Sequence, residues 1–450
     1  MNAIVLTFDR LPAGFLACCG NGWIATPNFD RLAAQSAVFH QNFSNCPAAE
    51  NACPAWWSGR LECRGEGKEK GRNWLPTLLA DHGITFRLLV ETGADADIAE
   101  RGQIPTEFAE TVRGTDGLDV AVEETPFFRL VARAQRDLRL LRTSRREPWL
   151  LWIKSRGIPV PWLPPRDFGS KFLDLADDDE TPIEVDEHDD TDSGETDNSE
   201  PDGDEPDCVE PEGDEGALVE MSEEQFDELL QSMSQLPADR KSRDALSGVD
   251  RNLMRRVCGG YVALLDAGLG RLLELIDQEP GIAPTLLIVT ASKGVAVREP
   301  GVLLDDCESL AEETVHTPLF VRVVGTNRGV RRQELVQTVD LFPTLAEWFA
   351  IDCSNSSLDG ASLLPLIRGD KVEPRSHVFI TGGQGRFGIR TNDFYLVAKS
   401  GDREDAGNRL LFAKPEDVWE TNDVAAQSPD IADELSGQIT GILAGKRRPT

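Results

Sequence analysis

Two apolar runs in the sequence end on charged or hydroxylated side chains. Asp9 follows the run at residues 3–7, and Ser292 and Lys293 follow the run at residues 285–290. Short apolar runs of this kind predict buried strands. Ligands of open α/β sheets bind at the carboxyl ends of the strands, so we expect Asp9 and residues 291–293 to face a common site. A carboxylate there is a ligand for a hard cation, whereas an ammonium group repels one.

The elements around these residues alternate between strands and helices. Further apolar strands are predicted at residues 84–91 and 149–154, and apolar residues have helical spacing at residues 29–37, 75–81 and 254–277. The alternation predicts an α/β fold with a mostly parallel central sheet flanked by helices. We expect this domain to span residues 1–370.

The C-terminal part has a different pattern. Short β-like runs at residues 377–381, 387–391, 394–399 and 410–413 are joined mainly by Gly-rich or Asn-Asp turns. An amphipathic pattern at residues 431–443 then predicts a closing helix. Residues 371–450 are therefore predicted to form a small α+β subdomain, with an antiparallel sheet and a helix.

The charge of the chain is concentrated in one segment. The 450 residues carry a formal charge of −32, and residues 177–215 hold 21 of the acidic side chains with no Lys or Arg. This segment cannot bury enough apolar area to offset its chain entropy, so we predict a disordered acidic insertion. It could dock a basic protein partner. The acidity of the whole chain argues against binding to nucleic acid or to anionic membranes.

The cysteines and the termini indicate a reducing compartment. Nine cysteines without regular spacing argue against a disulfide framework, and the five histidines show no zinc-site spacing with them. The first residues lack the basic and long apolar regions of a signal peptide, and no apolar stretch is long enough to span a membrane. The default expectation is a cytoplasmic protein.

Five stretches of sequence occur in an order typical of one family. They lie at residues 4–33, 42–60, 261–294, 317–345, and 358–366 with 419–425, and they include the sequences Thr-Pro-Asn-Phe-Asp and Val-Asp-Leu-Phe-Pro-Thr-Leu. Together they resemble the sulfatase family of the alkaline-phosphatase-like superfamily over nearly the whole chain except the acidic segment. The resemblance implies hydrolysis of sulfuric esters by a formylglycine made from Cys or Ser, with Ca²⁺ or Mg²⁺ as the cofactor.

The nucleophile implied by the resemblance is missing from its expected position. When the family motif is aligned without gaps on Ser58-Gly59-Arg60, the nucleophile falls on Ala49, which offers neither oxygen nor thiol. Cys46 is the nearest thiol, but it lies three residues out of register. Arg60 persists as a remnant of the motif, in a catalytic or a purely structural role.

The implied metal ligands are also depleted. The family's Asp-Asp pair corresponds to Phe8-Asp9, so Asp9 is a remnant ligand, while Ser292 and Lys293 occupy lost ligand positions. Glu91 falls where the family has a lysine. Lys293 could pair with Asp9 and replace the metal, or its ammonium group could extend to solvent. No cofactor is expected.

These replacements favour a degenerate active site. The leading hypothesis is a catalytically inactive homologue, a pseudoenzyme that keeps the fold as a binding or regulatory scaffold. One alternative is an active hydrolase of sulfate or phosphate esters with a divergent site. Another is an interaction protein that works through its acidic insertion.

Overall fold

The computed structural model describes most of the chain outside the acidic segment. The described residues are 1–61, 74–91, 109–143, 148–159, 164–169, 251–278, 284–295, 310–325, 329–354, 356–399 and 409–445. The predicted insertion at residues 177–215 lies outside them. In the described part, no helix combines the length and the apolar character needed to cross a membrane.

Eight strands form the central sheet. In chain order they are β1 (Asn2–Arg10), β2 (Ala37–Phe43), β3 (Thr85–Glu91), β4 (Ala109–Val112), β5 (Trp149–Gly157), β6 (Thr285–Lys293), β7 (Leu319–Val323) and β8 (Val330–Gln337). The spatial order is β4-β3-β5-β1-β6-β7-β2-β8, and only β7 runs antiparallel to its neighbours. The strands β1, β5 and β6 are buried almost throughout, as expected for strands covered on both faces.

Helices cover both faces of this sheet. On one face lie α1 (Pro27–Ala34), α4 (Pro126–Thr143) and the long α6 (Arg251–Gln278), which share a core with Leu6 and Phe8. On the other face lie α2 (Ala49–Ser58), α3 (Leu75–Asp81) and α8 (Leu341–Trp348), which pack on Val5 and Trp152. Short helices connect these elements: α5 (Arg166–Gly169), α7 (Glu312–Val315) and α9 (Leu364–Arg368).

A second sheet is formed by the C-terminal residues. It contains β9 (Val378–Thr381), β10 (Arg386–Arg390), β11 (Phe394–Lys399) and β12 (Arg409–Ala413), all antiparallel. The helix α10 (Pro429–Leu443) packs its apolar side on Ile389, Leu396 and Leu411. The predicted fold class is therefore confirmed in both of its parts. The division at residue 370 stays a prediction.

Candidate functional site

A buried ion pair lies at the carboxyl ends of β1 and β5. The Lys154 ammonium group contacts Oδ1 of Asp9, and the two side chains are 0% and 3% exposed. Thr7 is opposite Lys154 in the parallel register. Because side chains alternate along a strand, Lys154 and Asp9 both point to the face that carries α2 and α3. The only carboxylate that the resemblance retains for a metal is thus engaged by a cation of the protein itself.

The end of β6 completes this part of the site. Ser292 Oγ donates a hydrogen bond of 2.8 Å to the backbone carbonyl of Asp9. Lys293 is buried and lies opposite Arg10 in the register, and its own carbonyl accepts a hydrogen bond of 3.0 Å from the Leu11 amide. Strand alternation then directs Lys293 to the face opposite that of Asp9. The Asp9–Lys293 ion pair stays a prediction, and the register does not favour it.

Phe8, which stands at the first position of the acidic pair that the resemblance implies, is a core residue. Its ring is fully buried, 6.4 Å from the Phe29 ring and 5.5 Å from the Phe127 ring between centroids. These contacts hold β1 against α1 and α4. The side chain at this position therefore packs on the face covered by α1 and α4, where a carboxylate would be costly to bury.

A second buried carboxylate lies two strands away from the first, on the opposite face. Glu91 ends β3, and its Oε1 accepts a hydrogen bond of 2.9 Å from Arg156 Nε. Its Oε2 accepts bonds from Ser155 Oγ at 2.6 Å and from the Arg156 amide at 3.2 Å. Burial raises the pKa of Glu91, while Arg156 and Ser155 oppose the rise. Arg156 also reaches Asp116 Oδ1 at 2.6 Å, so the cluster extends to the surface.

A cleft opens next to this cluster. Glu91, Asp116 and Arg156 line its polar part, and Phe127, Tyr261 and Leu265 line its apolar part. Gly157, the last residue of β5, lies beside it with a φ of +66°, and a Cβ there would lie 2.0 Å from the Arg10 carbonyl oxygen. Glycine is therefore required where the ends of β1 and β5 approach each other.

The segment expected to carry the nucleophile lies at the start of α2. Ala49 is the first residue of α2, and Cys46 is buried just before it, with its amide donating to Ser44 Oγ at 3.2 Å. Arg60 is exposed in the turn after α2. That turn is anchored by Asp359, which accepts a 2.9 Å hydrogen bond from the Leu61 amide. The turn is thus held through the Leu61 backbone, and the role of Arg60 stays a prediction.

The residues present do not fit a Ca²⁺ or Mg²⁺ ion. Such ions take several oxygen ligands, usually including carboxylates. Here Asp9 is bound by Lys154, Phe8 is apolar, and the Ser292 hydroxyl is donated to a carbonyl. Within the described ranges, no group of three or more His, Cys, Asp or Glu side chains is arranged to hold a metal.

Lys154 is the site residue that sequence reasoning missed. It ends the apolar run Trp-Leu-Leu-Trp-Ile-Lys, at the same strand-end position that drew attention to Asp9. Period-two alternation could have placed it on the face of Trp152. The signal that was missing is long-range, because only the sheet order brings β5 beside β1.

Comparisons with known proteins agree with this fold. The family model described as "Sulfatase" matches residues 186–351. An uncharacterised sulfatase of Escherichia coli K12 is 22% identical over 230 residues, which are 41% of this chain and 40% of that protein. Human arylsulfatase A is 29% identical over 147 residues, 30% of this chain and 29% of that protein. The matched regions thus span well under half the length of these curated relatives.

A solved structure extends the similarity to the whole chain. The phosphonate monoester hydrolase of Agrobacterium radiobacter superposes with a TM-score of 0.69 at 18% identity, covering 99% of this chain and 96% of that one. At this identity the likeness establishes the fold. The family resemblance drawn from the five sequence stretches is confirmed.

Proposed function

The chain is sulfatase-like in sequence and in fold, and we propose that it is a catalytically inactive relative that keeps the fold as a binding or regulatory scaffold. We further propose that it needs neither Ca²⁺ nor Mg²⁺. The observation that carries the proposal is the Asp9–Lys154 ion pair, which puts a buried ammonium group against the one carboxylate left for a metal.

The physical argument concerns charge in a dry environment. Lys154 is fully buried, so its charge is poorly screened, and a divalent cation at Asp9 would have to displace or face that ammonium group. Breaking a buried ion pair leaves one charge in the interior without a partner. This costs more free energy than breaking the same pair in water. A metal ion therefore has to overcome both the existing pair and the repulsion.

Two further replacements act in the same direction. Ala49 stands where the resemblance places the nucleophile, and its methyl group cannot form a covalent ester intermediate. Glu91 stands where the family has a lysine, so an anionic ester would meet a carboxylate in place of an ammonium group. Catalytic groups that act together lose most of the rate when one is removed. Three such losses favour an inactive site.

The experiment is an activity and metal titration of the full chain. Aryl esters of sulfate, phosphate and phosphonate would be offered with and without Ca²⁺ or Mg²⁺, and metal binding would be followed by calorimetry. We expect no saturable metal binding, and background hydrolysis that is the same for the wild type and for Asp9→Asn. Asp370→Asn, which changes an exposed carboxylate, is the matched control.

Metal-dependent turnover would overturn the proposal if it disappears in Asp9→Asn and persists in Asp370→Asn. The far-ultraviolet circular dichroism of all three proteins would be compared first, so that loss of folding is not mistaken for loss of a ligand. Turnover of that kind would favour the alternative of an active hydrolase with a divergent site.

A further inference from the structure

Four charged side chains join the C-terminal sheet, β9–β12, to α7. Oε2 of Glu312, the first residue of α7, lies 3.3 Å from Arg390 Nε of β10 and 2.9 Å from Lys414 Nζ. Lys414 Nζ lies 3.5 Å from Oε1 of Glu420, and the same oxygen accepts a hydrogen bond of 3.0 Å from the Glu312 amide. These two carboxylates and two cations form one cluster with a formal charge of zero, which we call the latch.

The loop after β12 fixes the Glu420 carboxylate in the latch. Glu420 has a left-handed backbone with a φ of +54°, which is uncommon for a residue other than glycine. Asp417 accepts hydrogen bonds from the Thr421 and Asn422 amides at 2.9 and 3.0 Å, and its carbonyl accepts one of 2.8 Å from Lys414 Nζ. The side chains of Glu420 and Lys414 are 4% and 1% exposed. Their charges are therefore balanced by protein groups and not by water.

The helix α7 connects the latch with the candidate site. The Thr314 carbonyl accepts a hydrogen bond of 2.7 Å from the Gly294 amide, directly after β6. The Val315 carbonyl accepts one of 2.7 Å from the Ser44 amide, in the segment before α2. A Cβ at Gly294 would lie 1.9 Å from the Glu313 carbonyl oxygen, so the two backbones are in close contact. A displacement of α7 would therefore break contacts on both sides of the site.

A histidine lies beside the latch, directly after α7. The half-buried His316 ring packs on Phe43 with centroids 5.4 Å apart, and the Arg390 guanidinium group lies 5.5 Å from the centroid of the same Phe43 ring. His316 Nε2 lies 2.7 Å from the His40 carbonyl, which can only accept, so the neutral ring donates there. Acid therefore adds a proton at Nδ1, and the new charge is felt by both cations of the latch.

Acid acts on the latch in one direction. The titratable and charged groups that face His316 are Glu312, Arg390, Lys414 and His40. Burial lowers the pKa of His316, against the attraction of Glu312. Burial also opposes the charged form of Glu312, but Arg390 and Lys414 outweigh it and lower the pKa of this carboxyl. Such groups contribute stability that is fully present above their ordinary pKa, 6.5 for histidine and 4.5 for glutamate, and that is lost as the pH falls through the lowered values.

We propose that the latch is an acid-sensitive device that holds the C-terminal sheet and α7 against the candidate site at neutral pH and releases them in mildly acidic solution. A proton on His316 changes the charge of this region from zero to +1, and a second proton on Glu312 changes it to +2. Unbalanced charge away from water is costly, and opening lets water solvate it. This regulation goes beyond the proposed scaffold function and is independent of it.

The test is amide hydrogen exchange of the full chain, followed by mass spectrometry from about pH 7 to about pH 5 with rates corrected for the intrinsic effect of pH. We expect amides of β10, β11 and α7 to exchange up to about tenfold faster at the acid end, the factor that corresponds to one pKa unit. Amides of β1 and β5 are the internal reference and should change less than about twofold. Equal acceleration in both sheets would show a global loss of stability and would overturn the proposal.

A histidine variant tests which group senses the acid. His316→Gln keeps a donor for the His40 carbonyl but does not titrate, so most of the acid response should disappear. His82→Gln changes an exposed histidine at the end of α3 and should keep the full response. A folded His316→Gln protein with the acid response of the wild type would refute the proposal.

A carboxylate variant tests the charge balance at neutral pH. Glu312→Gln removes one negative charge from the latch, so exchange of β10 and β11 should already be several-fold faster at pH 7. Glu347→Gln, which changes an exposed carboxylate paired with Arg368, should leave this exchange unchanged. Unchanged exchange in a folded Glu312→Gln protein would contradict the latch. If this variant does not fold, the comparison of His316→Gln with His82→Gln decides.

Discussion

Two buried carboxylates lie at the ends of β1 and β3, and the strand between these two supplies the cation for both. β5 lies between β3 and β1, and its Lys154 pairs with Asp9 while its Arg156 pairs with Glu91. The lysine pair is closed off from water. The arginine continues to Asp116, whose side chain is 42% exposed. A cation from β5 thus takes part in both: in one ion pair that is closed off from water, and in one network that reaches the surface.

The difference shows how a charged site can be neutralised from within. At Asp9 a compact ammonium group stands where the family resemblance implies a metal ion. At Glu91 a carboxylate stands where the resemblance implies a lysine, and Arg156 balances it with a hydrogen bond from Nε and a second one from its backbone amide. At both positions a carboxylate and a cation of the protein neutralise each other, so neither position offers a ligand a net charge. This internal balance is the physical basis of the proposed inactivity.

The sealed pair should be the more costly one to break. In Asp9→Ala the buried Lys154 ammonium group loses its carboxylate, and we expect the free energy of unfolding to fall by about 3–5 kcal/mol. Urea denaturation followed by tryptophan fluorescence would measure this. Glu110→Ala is the matched control, because Glu110 pairs with Arg133 at the surface. Loss of that pair should lower the free energy of unfolding by no more than about 1 kcal/mol.

A double variant separates charge from packing in that result. Asp9→Ala combined with Lys154→Met removes both charges and keeps most of the apolar volume of the lysine stem. We expect it to recover a large part of the stability that Asp9→Ala loses. If the double variant is as unstable as Asp9→Ala, the cost lies in packing and the comparison between a sealed and an open pair fails.

The open network should respond less and with a distinctive pH dependence. Glu91→Gln keeps the size of the side chain and removes its charge. The weaker bonds from Arg156 and Ser155 are offset because no carboxylate charge has to be buried, so we expect a loss of no more than about 1 kcal/mol near pH 7. Its effect should therefore be smaller than that of Asp9→Ala. The measurement is again urea denaturation, repeated across pH.

The sign of the pH dependence follows from the raised pKa of Glu91. A carboxyl group whose pKa is higher in the folded state contributes stability below its unfolded pKa. That contribution is lost as the pH rises through the folded pKa. The free energy of unfolding of the wild type minus that of Glu91→Gln should therefore fall as the pH rises from the ordinary glutamate pKa through the raised value. A difference that grows with pH would mean that Arg156 dominates over burial.

The sequence predicted one member of the lysine pair, Asp9. Apolar composition located β1, β5 and β6, and the rule for strand ends pointed to Asp9 and Lys293. Which cation meets Asp9 depends on sheet order, which brings β5 beside β1 across 145 residues of chain. It also depends on register, because Lys293 lies opposite Arg10 and not opposite Asp9. Neither quantity is encoded in local periodicity, so Lys154 could not be identified from the sequence pattern alone.

The smallest effect should come from the outer end of the network. Asp116→Asn removes a carboxylate that is 42% exposed and that binds Arg156 through Oδ1. Water and salt screen such a pair, and Arg156 keeps Glu91, so we expect a loss below about 1 kcal/mol that vanishes at high salt. Urea denaturation at low and at high ionic strength would measure it. A loss comparable to that of Asp9→Ala, or one insensitive to salt, would show that Asp116 is part of the buried balance. The arginine network would then have to be described as sealed, like the lysine pair.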